Sequence, residues 1–179
     1  MTRYISILRG INVSGQKAIK MTDLKILYEK LKLNNVTTYI QSGNVVFDSP
    51  IKLKVELIEN AIAKHYGFSV PVILRTDKEW AKIITSNPLV KDPDKDISKM
   101  HVVFLADKPN LPDKEKLNKV KHPSEEYFFE GTEVFLYCPN GYGKTKLSNT
   151  FLEKTLKTTA TTRNWKTVNK LKEIADSIM

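Results

Sequence analysis

The sequence predicts an α+β chain of two ferredoxin-like α/β subdomains, βαββαβ followed by an incomplete βαββαα repeat, with mainly antiparallel sheets. Three observations predict it. β-rich runs alternate with runs whose apolar residues recur at helical spacing. Glycine-centred turns join neighbouring β-rich runs in the manner of hairpins. Residues of the first half also return in the second at a fixed offset.

Taken in order, Tyr4-Ile5-Ser6-Ile7-Leu8-Arg9 reads as a buried strand that the segment from Gly10 to Gly15 breaks. A helix is expected from Thr22 or Asp23, either of which can cap it, because Leu24, Leu27, Tyr28 and Leu31 share one face. Val36 to Gln41 and Asn44 to Phe47 form a hairpin across Ser42-Gly43. Val55, Ile58 and Ile62 mark a second helix, and Val70 to Arg75 a strand in which Pro71 suggests an edge or a strand start. In this topology the loop Arg9–Lys17 and the turn Gln41–Asn44 fall at the same end of the sheet.

Asp77 to Asn87 reads as a short helix, and residues 89–99 as a linker between subdomains 1–88 and 100–179. The plan then restarts. His101 to Leu105 is a strand, Asp113 to Val120 a helix, and Glu126–Glu130 with Glu133–Cys138 a hairpin through Gly131-Thr132. Tyr39, Gly43, Val46 and Phe47 return 88 positions later as Tyr127, Gly131, Val134 and Phe135. Two helices close the chain, one from about Lys146 to Leu156 and one after Asn164.

The formal net charge of +9 favours polyanionic partners. The tail carries most of the imbalance, since residues 138–179 hold eight Lys or Arg against three acids. No stretch approaches the roughly 18 apolar residues of a membrane span, and residues 1–4 lead straight into a strand with no signal-like apolar run. A cytoplasmic location is expected. The single cysteine, Cys138, reads as a structural strand-end thiol. Asp92, Asp94 and Asp96 imitate a calcium loop, but Ile97 replaces the turn glycine and Val103 the bidentate glutamate, so no metal site is expected. No motif names a cofactor, and His65, His101 and His122 are too scattered to suggest a catalytic group.

Three constellations are candidates for a site. In Cys138 to Leu147, Lys144 and Lys146 accompany glycines at an expected helix start. Cys138 stands where a phosphate loop needs its first glycine, so the nucleotide motif is incomplete. The second candidate gathers Arg9, Asn12 and Lys17 with Gln41, Ser42 and Asn44, amides and cations that suit a polar ligand and equally suit loop architecture. The third is Thr158 to Trp165, where Arg163 can meet a phosphate or a carboxylate and a neighbouring residue can cap the last helix. The expected function is binding of an anionic ligand, a phosphorylated small molecule or a nucleic-acid backbone. An enzyme with a polar pocket at the Arg9–Lys17 and Gln41–Asn44 end, and a protein-interaction module, are the alternatives.

Leu8-Arg9-Gly10-Ile11-Asn12-Val13, Met21-Thr22-Asp23-Leu24, the run Thr38 to Phe47 and Thr161-Thr162-Arg163-Asn164-Trp165 together resemble one family, the domain of unknown function numbered 1697. The resemblance runs from residue 4 to residue 176. It implies two α+β subdomains of ferredoxin-like character and brings no substrate, cofactor or catalytic residue with it.

Overall fold

The structure is a computed structural model and describes residues 1–109 and 112–178. The first part runs β1 (Thr2–Leu8), α1 (Met21–Lys30), β2 (Asn34–Tyr39), β3 (Asn44–Ser49), α2 (Val55–Tyr66), β4 (Val72–Thr76) and α3 (Asp77–Ser86). The second runs β5 (Met100–Leu105), α4 (Lys114–Val120), β6 (Glu126–Glu130), β7 (Glu133–Tyr137), α5 (Asn149–Leu156), β8 (Ala160–Asn164) and α6 (Trp165–Ser177). The architecture is α+β with two four-stranded antiparallel sheets. By mutual contact the chain forms two compact units, Met1–Lys82 with the chain from Lys170 onward, and Ile83–Asn169. This contact division and the colinear one at 88–99 differ in where α3 and the chain end are assigned. The expected linker holds two short 3-10 turns, Pro88–Lys91 and Ile97–Lys99.

In the first unit the strand order is β2-β3-β1-β4. Tyr4 and Leu8 of β1 and Val45 and Phe47 of β3 meet Leu24 and Tyr28 of α1 and Ile58 and Ile62 of α2 in one apolar cluster. The alternate β1 residues, Ile5 and Ile7, are also fully buried, so β1 is covered on both faces. Ser6 is the polar exception, and its hydroxyl is satisfied at 2.9 Å by that of Tyr28. α1 begins at Met21 rather than at Thr22 or Asp23, and its N-cap, Lys20, makes no side-chain cap bond. Burial of Leu24, Leu27 and Tyr28 carries this helix without the cap the sequence led one to expect.

At the far end of β1, Arg3 lies opposite Asp48 of β3. Its Nε and Nη2 donate to the two carboxylate oxygens at 2.8 and 3.0 Å. Asn35 of β2 donates to the same carboxylate at 2.8 Å from the irregular stretch of the β2–β3 ladder. The remaining guanidinium nitrogen, Nη1, donates to the carbonyls of Ala175 and Ile178, so Arg3 also caps the last turn of α6. One cation therefore ties two strands and a helix terminus together. Pairing with Arg3 holds the Asp48 carboxyl below the usual carboxylate range.

In the second unit the order is β6-β7-β5-β8, the same arrangement one repeat later. The repeat is complete, βαββαβ followed by α6, which corrects the expected incomplete βαββαα. The hydroxyl-rich run that reads as a helix-entry loop is β8, paired with β5 from Leu105 opposite Ala160 to His101 opposite Asn164. Thr161 and Thr162 are β-branched, and their hydroxyls meet Arg163 of the same strand and Asn149 of α5, a tertiary context that a short polar run conceals. The 88-residue echo then extends further. Arg75 and Arg163 are both buried, at 8% and 7% exposure, one residue before the end of β4 and β8. The next residues cap the following helices: Thr76 exchanges bonds with Glu79 at 2.7 and 3.3 Å, and Asn164 accepts from the Thr167 amide at 2.8 Å.

Removing one member of the Arg3–Asp48 pair leaves the other partly desolvated, at 23% and 8% side-chain exposure. Asp48→Asn should therefore destabilise by about 2–3 kcal/mol at pH 7 in urea unfolding. A carboxyl depressed in the folded state contributes fully above its unfolded value of about 4, and the contribution fades as pH falls through the folded value. Wild type and variant should accordingly converge towards pH 2; a gap that stays constant with pH would assign the effect to something other than this pairing.

Candidate functional site

Three connections meet at the other end of the first sheet. The Leu8 amide donates to the Gly43 carbonyl at 2.8 Å and the Arg9 amide to that of Pro71 at 2.9 Å, so the chain leaving β1 is flanked by the β2–β3 turn and the α2–β4 loop. The adjacency of Arg9–Lys17 and Gln41–Asn44 expected from topology is present. Asn12 makes it: its Nδ2 donates to the carbonyls of Gln41 and Ile19 at 2.8 and 2.9 Å, while its Oδ1 accepts from the Ile19 amide at 2.8 Å. Lys17 reaches the third connection, donating to the Ser69 carbonyl at 2.7 Å. Asn44 is fully buried and donates to the Tyr39 carbonyl and the Ser42 hydroxyl at 2.9 and 3.1 Å. Asn12 and Asn44 thus position the loops, while Gln41 is exposed and Arg9 half-buried.

The backbone here is unusual. Gly10, Asn12, Ser14, Gly15 and Lys17 in the first loop, and Ile40 and Gly43 in the turn, all have positive φ. Ile40 is the most telling, because a β-branched residue at φ +49° is strained and this one is 47% exposed, with no burial to offset the strain. Gly43 is obligatory for a second reason: a Cβ there would lie 2.6 Å from Ile11 Cδ1 and 2.8 Å from Leu8 Cβ. The charge is one-sided. Residues 9–20, 38–47 and 60–74 contain no Asp or Glu but contain Arg9, Lys17, Lys20 and Lys64.

The second constellation is ordered differently from its sequence reading. α5 begins at Asn149 with Ser148 as its cap, the Ser148 hydroxyl accepting from the Phe151 amide at 3.3 Å, so Lys144 and Lys146 precede the helix instead of opening it. The serine cap wins because it satisfies an amide that neither lysine can. Tyr142 anchors the loop, stacking on His101 at 4.9 Å and donating to the Thr162 hydroxyl at 3.0 Å. Lys144 and Lys146 are exposed. Arg163 projects from the other face of β8, where its Nη1 donates to the Thr161 hydroxyl at 3.0 Å and the Thr162 carbonyl at 2.9 Å. Strand alternation therefore separates it from the Tyr142 loop. Burial pushes the Cys138 thiol up to about 12, which leaves it protonated and unreactive.

The family model described as protein of unknown function, DUF1697, matches residues 1–135. The chain belongs to this family. The matched span includes the Arg9–Lys17 and Gln41–Asn44 loops and stops before Lys144, Lys146 and Arg163. A conserved bacterial protein from Streptococcus pneumoniae has a similar solved structure, with a TM-score of 0.74, 26% identity, and coverage of 97% of this chain and 98% of that one. No curated protein matches the sequence.

For this family member, topology placed the two loops side by side as the structure does, but the strain at Ile40 and the exposure of Val13, at 60%, carry no signal in the sequence. Gly43→Ala should destabilise by about 3 kcal/mol, combining the positive φ with a clash against Leu8 and Ile11. Gly131→Ala, at φ +62° with nothing within 4 Å of the added methyl, should cost about 1 kcal/mol. Equal costs in parallel urea titrations would show that the close approach at Gly43 is unimportant. Ile40→Gly should stabilise by up to about 1 kcal/mol, as relief of strain outweighs the added chain entropy.

Proposed function

We propose that the Arg9–Lys20 loop and the Ile40–Asn44 turn bind an anionic ligand, a phosphorylated small molecule or the backbone of a nucleic acid. One observation supports this above the others: seven positive-φ residues and the cations Arg9, Lys17 and Lys20 gather in two adjoining loops without a carboxylate. Turns that alternate right- and left-handed residues aim successive amides into one concavity, an anion-binding arrangement. Strain retained at an exposed position such as Ile40 also fits a functional surface. In this reading Asn12, Ser42 and Asn44 hold the loops in place, and Arg9, Lys17 and Gln41 face the ligand. Lys144 and Lys146 form a lesser candidate, from which Arg163 is separated on the other face of β8. We read each unit as a ferredoxin-like subdomain, supported by the shared order with the first strand central, and the protein as cytoplasmic. The exposed Val13 and Ile40 favour a second reading, a protein-interaction module.

Fluorescence anisotropy with a labelled 20-nucleotide single strand tests the nucleic-acid arm. Three phosphate contacts imply a fall in affinity of roughly 18-fold between 50 and 200 mM salt. The triple substitution Arg9→Ala, Lys17→Ala and Lys20→Ala should remove that dependence. Thermal shift with pyrophosphate and nucleoside diphosphates tests the small-molecule arm, saturation at about 100 times Kd raising stability by roughly 2.7 kcal/mol. No binding in either arm at 50 mM salt would refute the anion reading and leave the interaction surface.

A further inference from the structure

The second unit carries a separate feature that no anion-binding argument uses. Among the described residues β6 is an edge strand, hydrogen-bonded to β7 alone in the order β6-β7-β5-β8. Its register follows from the turn. The two-residue connection Gly131-Thr132 closes on Glu130 opposite Glu133, which makes those residues a hydrogen-bonded pair. Phe128 opposite Phe135 is then the next such pair, so the amides and carbonyls of Tyr127 and Phe129 point away from β7 to the open edge.

Along this edge lies a cleft of about 470 Å³ between β6 and α4. Its width is held by the Tyr127 hydroxyl, which donates to Asn118 Oδ1 of α4 at 2.9 Å. Lys114 of α4 and Lys121 just after it form one wall, and Lys121 is oriented by a 2.9 Å bond to the Glu125 carbonyl. The acids beside the cleft are already engaged. Glu126 pairs with Lys95 at 3.0 Å, and the buried Glu125 carboxylate accepts from the His122 amide at 2.9 Å. Residues 114–121 carry Lys114, Lys116, Lys119 and Lys121 against Glu115 alone, so the helix side of the cleft is net positive, whereas on the opposite face of β6 Phe128 is 41% exposed.

We propose that the β6 edge and the α4 face beside it form a groove for an extended acidic peptide segment of a partner protein, added to the sheet as a fifth strand. The free Tyr127 and Phe129 backbone groups supply the ladder. Alternate side chains of such a strand point to opposite faces. Its carboxylates meet Lys114 and Lys121, and the apolar residues between them meet Phe128. The symmetric pairing of a second copy about the middle of β6 is disfavoured. Antiparallel β6–β6 pairing centred on Phe128 places Glu126 opposite the copy's Glu130, and like charges directly opposed are destabilising.

The probe is a blocked, labelled heptapeptide alternating valine and glutamate, with a valine–lysine peptide as control. The glutamate peptide should bind saturably below about 1 mM. In amide hydrogen exchange it should slow the Tyr127 and Phe129 amides at least fivefold. Lys114→Glu with Lys121→Glu should weaken binding at least tenfold, and Lys114→Glu alone, at an exposed position, should weaken it measurably with an unchanged circular dichroism spectrum. Absence of saturable binding, equal binding of the lysine peptide, or binding that leaves those two amides unprotected would each overturn the proposal. None of these outcomes depends on the first unit's loops, so the groove and the anion site stand or fall separately.

Discussion

Burial of β1 and β5 on both faces is the constraint from which the rest of this structure follows. Tyr4 through Leu8 and Val102 through Leu105 are buried without interruption, so every amide and carbonyl along them needs a partner inside the sheet. Each strand meets that need by lying between two others, β3 and β4 around β1, and β7 and β8 around β5. The hairpin strand and the returning strand are thereby placed on opposite sides of the first strand, and the same order results twice. What charge remains in these sheets sits where strands end. Arg3 with Asp48, Arg75 and Arg163 all lie near strand termini, where side-chain and backbone oxygens supply partners.

The candidate site is a by-product of that order. A central first strand must hand its chain over to a helix at the end where the hairpin turn and the α2–β4 loop also arrive. Three connections then compete for one small area, and left-handed residues and a glycine with no room for a methyl are the local solution. Asn12 satisfies three backbone groups from two of those connections, which makes the cluster one object instead of three loops. The two loops that meet there, residues 9–20 and 40–44, carry Arg9, Lys17 and Lys20 and no Asp or Glu of their own, so their formal charge is positive.

Much of this was legible in the chain. Among the described residues, the sequence reading located all six α-helices and seven of the eight strands, because apolar spacing reports burial, and burial decides both. The meeting of Arg9–Lys17 with Gln41–Asn44 was legible through topology alone. β8 was not, since Thr161, Thr162 and Arg163 look like helix-entry residues until β5 supplies a ladder. The start of α5 was misplaced for a similar reason: Leu147 continues the apolar spacing of Phe151 towards the N-terminus, yet the cap at Ser148 sets the boundary. Roles inside the site were the least legible, because an asparagine that holds a loop and one that faces a ligand are the same letter.

The sequence by itself determined the α+β class, the duplicated plan, the family and the loops in which polar residues gather, since these depend on local propensity and on the spacing of apolar residues. Tertiary structure alone decided that the second repeat closes with a strand, that Asn12 and Asn44 are spent on the scaffold, that Ile40 is held in a strained turn, and that β6 keeps an open edge beside a basic wall. Each of these is a matter of which groups find partners across long stretches of chain, and hydrogen-bond satisfaction between distant residues leaves no periodic trace in a sequence.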